Sequence, residues 1–234
     1  MWNFIVDWGT ELPYSLNNEI TNNVVIPTIT HYRDIDWLIH NSIRRVTTDI
    51  SWNIWTISPW FWASKFNGTS FTNYTTADWL IDNWIYSVYA DNIWNVWFGS
   101  SNWLSKFDGT SFTNYTKANW FWIPSKNIYA DSLWNIWFSS SMSNSGIFKF
   151  DGTTWTIYTT ADGLVSNYID WIWEDSLWNI WIATYRGLSK YDGINFTTIR
   201  TWYSLSITQD LLGKIWFWAF EAFVWECWLL RYNN

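Results

Sequence analysis

An all-β chain made of repeated four-stranded units is what three features of the sequence predict. The first is a seven-residue frame, Asp175-Ser176-Leu177-Trp178-Asn179-Ile180-Trp181, which recurs at 49–55, 91–97, 131–137 and 210–216. The second is its period: the closing residues Trp55, Trp97, Trp137, Trp181 and Trp216 lie 35 to 44 residues apart, and a period near 40 marks a repeat architecture. The third is what lies between the copies: short alternating apolar and polar runs with Asn-Gly or Asp-Gly between them, and no sustained helical periodicity. Four short antiparallel strands per ~40 residues make a β-propeller blade, whose sheet must stack on its neighbours to bury both faces.

The repeat at 77–116 shows the elements best. Ile85-Tyr86-Ser87-Val88-Tyr89 is β-branched and aromatic, as a buried inner strand should be. Residues 91–95 form a polar turn, and Val96-Trp97-Phe98 a second strand. After the Ser100-Ser101-Asn102 loop, Leu104-Ser105-Lys106-Phe107 alternates as a third strand. Asp108-Gly109 is a hairpin turn, and Ser111-Phe112-Thr113-Asn114-Tyr115 is a fourth strand. Asn67-Gly68, Asp151-Gly152 and Asp192-Gly193 mark the same hairpin in other copies. The pattern places full repeats at 36–76, 77–116, 117–160 and 161–200, and a truncated last one at 201–234. Residues 1–35 read as a partial blade with an irregular insert at 11–23, because 2–6 resemble a worn frame and Thr30-His31-Tyr32 resembles Thr113-Asn114-Tyr115. The whole chain, 1–234, is thus expected to be one propeller domain of about five repeats plus the partial one, with an incomplete ring as one outcome.

Composition narrows the partners. Thirteen Lys and Arg against twenty Asp and Glu give a net charge of -7, which repels phosphate backbones and anionic lipid. No nucleic-acid partner is expected. The single Cys227 excludes an intrachain disulfide framework. The first residues show no basic region followed by an apolar run, so no signal peptide is visible. The apolar stretch 215–230 is broken by Glu221 and Glu226 and falls short of the roughly 20 residues of a membrane-spanning helix. The closing tryptophans suit the core between blades, each able to bury about 150–250 Å².

The other tryptophans are anomalous. The chain holds 26, and many align with glycine in another copy. Gly213 corresponds to Trp52, Trp94, Trp134 and Trp178; Gly163 to Trp37 and Trp79; Gly146 and Gly187 to Trp62, Trp103 and Trp228; Gly99 to Trp218. Glycine reaches positive φ without a Cβ clash, and Trp is among the poorest substitutes. The expectation is that UGA codons, which some bacteria read as glycine and others as tryptophan, stand behind most of these positions. Genuine Trp then remains at 55, 97, 137, 181 and 216, with 155 and 173. A tryptophan-rich surface for carbohydrate or membrane is the alternative, but aromatic platforms would not alternate with Gly at one turn.

With those positions read as glycine, the repeat becomes Asp-Gly-Leu, Asn-Gly-Ile-Tyr-Ser-Val-Tyr, Asp-Asn-Ile-Gly-Asn-Val-Trp-Phe-Gly-Ser and Gly-Leu-Ser-Lys-Phe-Asp-Gly-Thr. From Thr30 to the C-terminus this resembles the two-component regulator propeller repeat, found in extracytoplasmic sensor portions of bacterial hybrid histidine kinases and in some secreted proteins. The resemblance implies an extracytoplasmic, non-catalytic propeller that senses a small ligand, often carbohydrate-derived, or contacts a protein. It also implies a kinase or further blades elsewhere in the gene product, since such family members usually carry more blades than this chain.

In a propeller the second-to-third-strand loops and the inter-blade connections open on one face, and the frame turns and hairpins on the other. The second face is monotonous here. The first varies, at 58–61, 100–102, 139–145, 185–186 and 219–227, and binding residues concentrate on variable loops held by a rigid frame. The ligand-binding candidates are therefore His40, Arg44, Arg45, Tyr185, Arg186 and Glu221. Arg44 and Arg45 flank an inner strand, while Arg186 beside Tyr185 could hold a carboxylate or stack on a sugar; solvation is the plainer alternative for each arginine. The ring of Asp49, Asp91, Asp131, Asp175 and Asp210 could bind a cation, but Asp before a tight turn more often caps backbone N–H groups, and no calcium-loop motif is present. No metal and no cofactor are expected. His31 aligns with Asn73 and Asn114 in an outer strand and reads as a solvated surface residue. His40 aligns with Asp82 and Ser166 and is the one candidate catalytic histidine, which keeps open a propeller-type lyase using a His and a metal near the channel. A purely structural surface repeat is the third reading.

Overall fold

In the computed structural model the described residues are 30–33, 38, 40, 42–58, 61–101, 103–116, 125–140, 145–200, 203–221 and 226–232. The chain divides into two compact units, Met1–Tyr32 and Arg33–Asn234. Of the first, only 30–32 are described, and they are exposed and carry no strand. The expected partial blade at 1–35 otherwise lies outside the described residues.

The second unit is a β-propeller of antiparallel blades. Four blades have four strands each: β1 (Arg45–Thr48) to β4 (Phe71–Tyr74), with β2 (Ile54–Ser58) and β3 (Phe61–Phe66) between them; β5 (Ile85–Ala90), β6 (Val96–Ser100), β7 (Trp103–Phe107) and β8 (Phe112–Tyr115); β9 (Ser125–Ala130), β10 (Ile136–Ser140), β11 (Ile147–Phe150) and β12 (Trp155–Tyr158); β13 (Ile169–Glu174), β14 (Ile180–Thr184), β15 (Gly187–Tyr191) and β16 (Phe196–Arg200). The last has three, β17 (Tyr203–Gln209), β18 (Ile215–Glu221) and β19 (Glu226–Tyr232). Strands pair in chain order within each blade, and the inner strands β1, β5, β9, β13 and β17 touch in succession. Among the described residues two single-turn 3-10 segments, Thr76–Asp78 and Thr160–Asp162, lie in connections between blades. Among the described residues no helix is long and apolar enough to cross a membrane.

The core lies between blades because the second strand of each is apolar on both faces. Trp55, Ile57 and Ala63 of the first blade pack with Leu80, Ile85, Val88, Val96, Phe98 and Phe107 of the second. Trp97, Trp137 and Trp181 repeat the arrangement at the following junctions. These four tryptophans are buried, whereas Trp216 of the last blade is half-buried. Each stands opposite a cation on the third strand, as with Lys65 lying 5.4 Å from the centre of the Trp55 ring and Lys149 5.3 Å from that of Trp137.

The frame Asp locks the turn that precedes the tryptophan. In the third blade, Asp131 Oδ1 accepts from the N–H groups of Leu133 (3.0 Å) and Asn135 (2.8 Å). Its Oδ2 accepts from Asn135 Nδ2 and Trp137 Nε1, both at 2.7 Å. The same indole-to-carboxylate bond joins Trp55 to Asp49, Trp97 to Asp91, Trp181 to Asp175 and Trp216 to Asp210. Every acid of the ring therefore spends its oxygens on its own blade. Neighbouring turns are tied where Glu174 accepts from Ser132 N and Oγ, and where Gln209 accepts from Ser176 N.

The turn residue three places before that tryptophan is the one the sequence makes anomalous. Trp52, Trp94, Trp134 and Trp178 all have left-handed backbones, with φ of 64° to 78°, and the equivalent Gly213 has φ 78°. Trp79, which ends the first 3-10 turn, has φ 72°, and its counterpart Gly163 has φ 98°. These five tryptophans are the described non-glycine residues with positive φ, and they are 48 to 85% exposed. The equivalence is narrower elsewhere: Trp62, Trp103, Trp218 and Trp228 sit in strands without positive φ, whereas a Cβ on Gly146 would meet the Tyr158 carbonyl oxygen at 2.1 Å.

Candidate functional site

The end of the blades where function is expected is set by register. Arg45, the first residue of β1, pairs with Ile57 near the end of β2, so the inner strands begin on the face of the β2–β3 loops and the inter-blade connections. At that end four inner strands carry one extra residue. Pairing skips Tyr86 between Ile85 and Ser87, Lys126 between Ser125 and Asn127, Asp170 between Ile169 and Trp171, and Leu205 between Ser204 and Ser206. Arg44 holds the matching position in the first blade, its N–H bonded to the Ile57 carbonyl at 2.9 Å. A bulge of this kind re-aims a side chain out of the pleat, and bulges gather beside functional sites.

The residues in and beside this column meet across the axis. The Arg45 guanidinium donates to Asn127 Oδ1 at 3.4 Å. That bond joins the first blade to the third, passing over the second. Asn127 is buried, and its amide donates to the Asp170 carbonyl at 2.8 Å. The Tyr203 hydroxyl bonds the Asp170 carboxylate, and the Tyr203 ring lies 5.3 Å from that of Tyr185, which in turn is 6.1 Å from Tyr168. Arg44, the chain neighbour of Arg45, holds its guanidinium carbon 5.3 Å above the Tyr86 ring of the second blade. Burial, then the neighbouring charge of Arg44, pulls the Arg45 pKa below the ordinary arginine value. Burial, the Asp170 charge and the hydrogen bond to it push the Tyr203 phenol up. The cluster offers guanidinium and amide donors, a carboxylate acceptor and exposed aromatic faces, the usual equipment of a small-molecule site.

The sequence candidates divide accordingly. Arg44, Arg45 and Tyr185 are brought into this cluster. Arg186 is exposed on the loop after β14, with its backbone N–H on Thr184 Oγ1. The Glu221 side chain lies outside the described residues. His40 serves its own turn, where its Nδ1 accepts the Ser42 N–H at 2.9 Å. The aligned residues do the same, Asp82 accepting from Trp84 N at 3.0 Å and Ser166 from Tyr168 N at 3.2 Å, so the column is a turn cap. The Asp82 carboxylate also takes the Ser101 hydroxyl. Tyr86, Asn127, Asp170, Tyr168 and Tyr203 join the cluster without having stood out in the sequence. The signal that could have found them is a column of unlike residues, Arg44, Tyr86, Lys126, Asp170 and Leu205, set inside strands that otherwise repeat.

A groove of about 600 Å³ at the outer rim of the first and second blades is lined by Tyr74, Asp78, Trp79, Phe107, Ser111 and Phe112 among others. Its walls come from positions that recur in the other blades, including the anomalous Trp79, so it belongs to the scaffold.

No protein-family profile matches the chain, and no curated protein matches it. Solved structures do. The extracellular domain of the hybrid two component system BT4673 from B. thetaiotaomicron superposes with a TM-score of 0.62 at 17% identity, over 82% of this chain and 31% of that one. Virginiamycin B lyase from Staphylococcus aureus gives 0.61 at 15% identity, over 82% of this chain and 71% of the lyase. An ancestral GH74 enzyme gives 0.60 at 11%, over 82% of this chain and 31% of the enzyme. The chain thus spans about a third of the two-component domain it resembles, and what it shares with all three at such identities is the propeller fold.

Proposed function

We propose that the chain is a non-catalytic sensor or interaction propeller that binds a small ligand, a glycan among the candidates, at the channel mouth of its variable face. The observation that carries this is the polar path from Arg45 through Asn127 and Asp170 to Tyr203, whose first three members differ from their counterparts in the other blades. A purely structural repeat has no use for unlike polar groups converging on its axis. The lyase reading rests on His40, and that ring nitrogen is occupied by a turn N–H. Likeness to an extracellular two-component domain supports an extracytoplasmic location and further blades or a kinase in the full gene product. The test is a glycan and metabolite library read by thermal shift on the native chain and on Asn127→Ala. Hits whose stabilisation disappears in the variant are expected; hits indifferent to Asn127, or none at all, refute a ligand site at the mouth.

We also propose that Trp52, Trp79, Trp94, Trp134 and Trp178 stand where the natural protein has glycine. Their left-handed backbones and the glycines at equivalent turns support it. Reading the gene decides it: UGA at these codons is expected, and UGG ends the idea.

A further inference from the structure

We propose that the ligand of this mouth is a small hydroxylated carboxylate, with Arg44 and Arg45 receiving its anionic group. The inference rests on the ligand-site reading above and adds the sign of the charge. The chain as a whole carries -7, yet two arginines stand side by side at the mouth. Arg44 and Arg45 are adjacent in the first blade, where Arg45 reaches Asn127 of the third. Cations grouped at the mouth of a channel in an acidic protein focus an attractive field there for anions.

The local geometry favours a carboxylate over a bare point charge. Guanidinium groups present paired N–H donors matched to two carboxylate oxygens. The Arg44 group is held over Tyr86, and that of Arg45 is turned to the amide oxygen of a buried Asn127, so both heads are oriented before a ligand arrives. Two like charges side by side, one of them partly buried, repel one another, and a bound anion relieves that repulsion. The rest of the cluster fits the body of such a molecule. Asp170, on the far side of Asn127, accepts hydroxyl donors as it does from Tyr203, and the Tyr203 and Tyr185 rings, 5.3 Å apart, offer faces for stacking. Asp170 also sets polarity: it turns a carboxylate away from its own side and toward the arginines.

Matched probes separate the charge from the rest. D-glucuronate is compared with D-glucose, and 4-hydroxybenzoate with 4-hydroxybenzyl alcohol, by NMR titration of the native chain, Arg45→Gln, Arg44→Gln and Lys214→Gln, a control in the frame turn of the opposite face. The acids are expected to bind and their neutral partners to bind about tenfold more weakly or not at all. Each mouth variant should weaken the acids by a similar factor, added salt should weaken them further, and Lys214→Gln should change nothing. The fold of each variant is checked by its unchanged unfolding transition, and Arg45→Met, which keeps the aliphatic stem without the charge, serves if Arg45→Gln fails to fold. Equal binding of acid and neutral partner, or acid binding that survives both arginine variants, overturns the carboxylate assignment while leaving a ligand site in place. No shift with either acid up to its solubility limit also overturns the assignment, and only the failure of the library screen above overturns the site.

Discussion

The two ends of each inner strand obey different rules. At the end leading into the frame turn, all five blades carry the same Asp, and its carboxylate holds the same indole six residues on. At the other end the corresponding residues are Arg44, Tyr86, Lys126, Asp170 and Leu205, no two alike. A position that must satisfy its own blade is solved once and repeated. A position freed by a bulge from the ladder is left to differ, and there the blades reach one another across the axis. Stability and recognition are thus separated along a strand of six or seven residues such as Ile85–Ala90 or Tyr203–Gln209.

The sharpest break of that comparison comes at the repeated end. Trp137→Ala empties a site that is 1% exposed and is expected to cost about 3–5 kcal/mol. Asp131→Ala leaves two backbone N–H groups, the Asn135 amide and the indole without their acceptor, for about 3 kcal/mol. Urea unfolding measures both. By contrast, Arg44→Ala or Tyr185→Ala, at exposed positions of the variable end, should stay within about 0.5 kcal/mol. Comparable losses at the two ends would dissolve the distinction.

The left-handed tryptophans sharpen it with the opposite sign. A non-glycine residue at such φ is strained by about 1–3 kcal/mol, and glycine gives back roughly 1 kcal/mol of that in chain entropy. The indoles at Trp52, Trp94 and Trp178 are 85, 61 and 71% exposed, so little packing is forfeited. Replacing each by Gly is expected to stabilise the protein by about 1 kcal/mol, additively because the turns belong to different blades. Trp97→Gly, in the same frame but buried, should destabilise it by several times as much.

How legible this was in the sequence depends on which end is considered. The strands, hairpins and blade order follow from a motif written five times, because alternation and Asx-Gly turns are local in their physics. The second blade's expected strands at 85–89, 96–98, 104–107 and 111–115 differ from those observed by at most two residues at an end. The arginines of the mouth could be picked out by charge. Asn127 and Asp170 could not, because an Asn inside a strand and an Asp beside a Trp gain meaning only when three blades converge on one axis. His40 drew attention as a histidine, and only its alignment with Asp82 and Ser166 reveals the shared turn.

Acid should reveal a gentler difference among the repeated turns. Backbone N–H groups of the hairpins hold the Asp108, Asp151 and Asp192 carboxyls below the usual aspartate value. A depressed folded pKa contributes stability above the unfolded value, about 3.9, and that contribution is lost as pH falls through the folded value. Stability attributable to these turns is therefore expected to stay level from neutrality to about pH 4 and to decline below it. Asn67 holds the equivalent turn of the first blade without titrating, its Oδ1 accepting from Thr69 N and Ser70 N at 2.9 Å. Changing the three aspartates to Asn should flatten the decline, seen by urea unfolding across the acid range. An unchanged decline would assign acid sensitivity to other groups.

The smallest expected effect concerns His40, and it discriminates most between functions. If the column formed with Asp82 and Ser166 is a turn cap, what matters is an acceptor placed for the N–H two residues on, and Asn or Asp supplies one as well as imidazole does. His40→Asn should therefore fold with stability within about 0.5 kcal/mol of the native chain and keep the thermal shifts of every library ligand. His40→Ala, which removes the acceptor from Ser42 N, should lose roughly 1 kcal/mol and still bind. A general acid or base would show the reverse pattern, with turnover of a substrate that both variants abolish while stability holds. The two readings of one histidine thus separate on a single pair of substitutions, because a cap is indifferent to proton transfer and a catalyst is not.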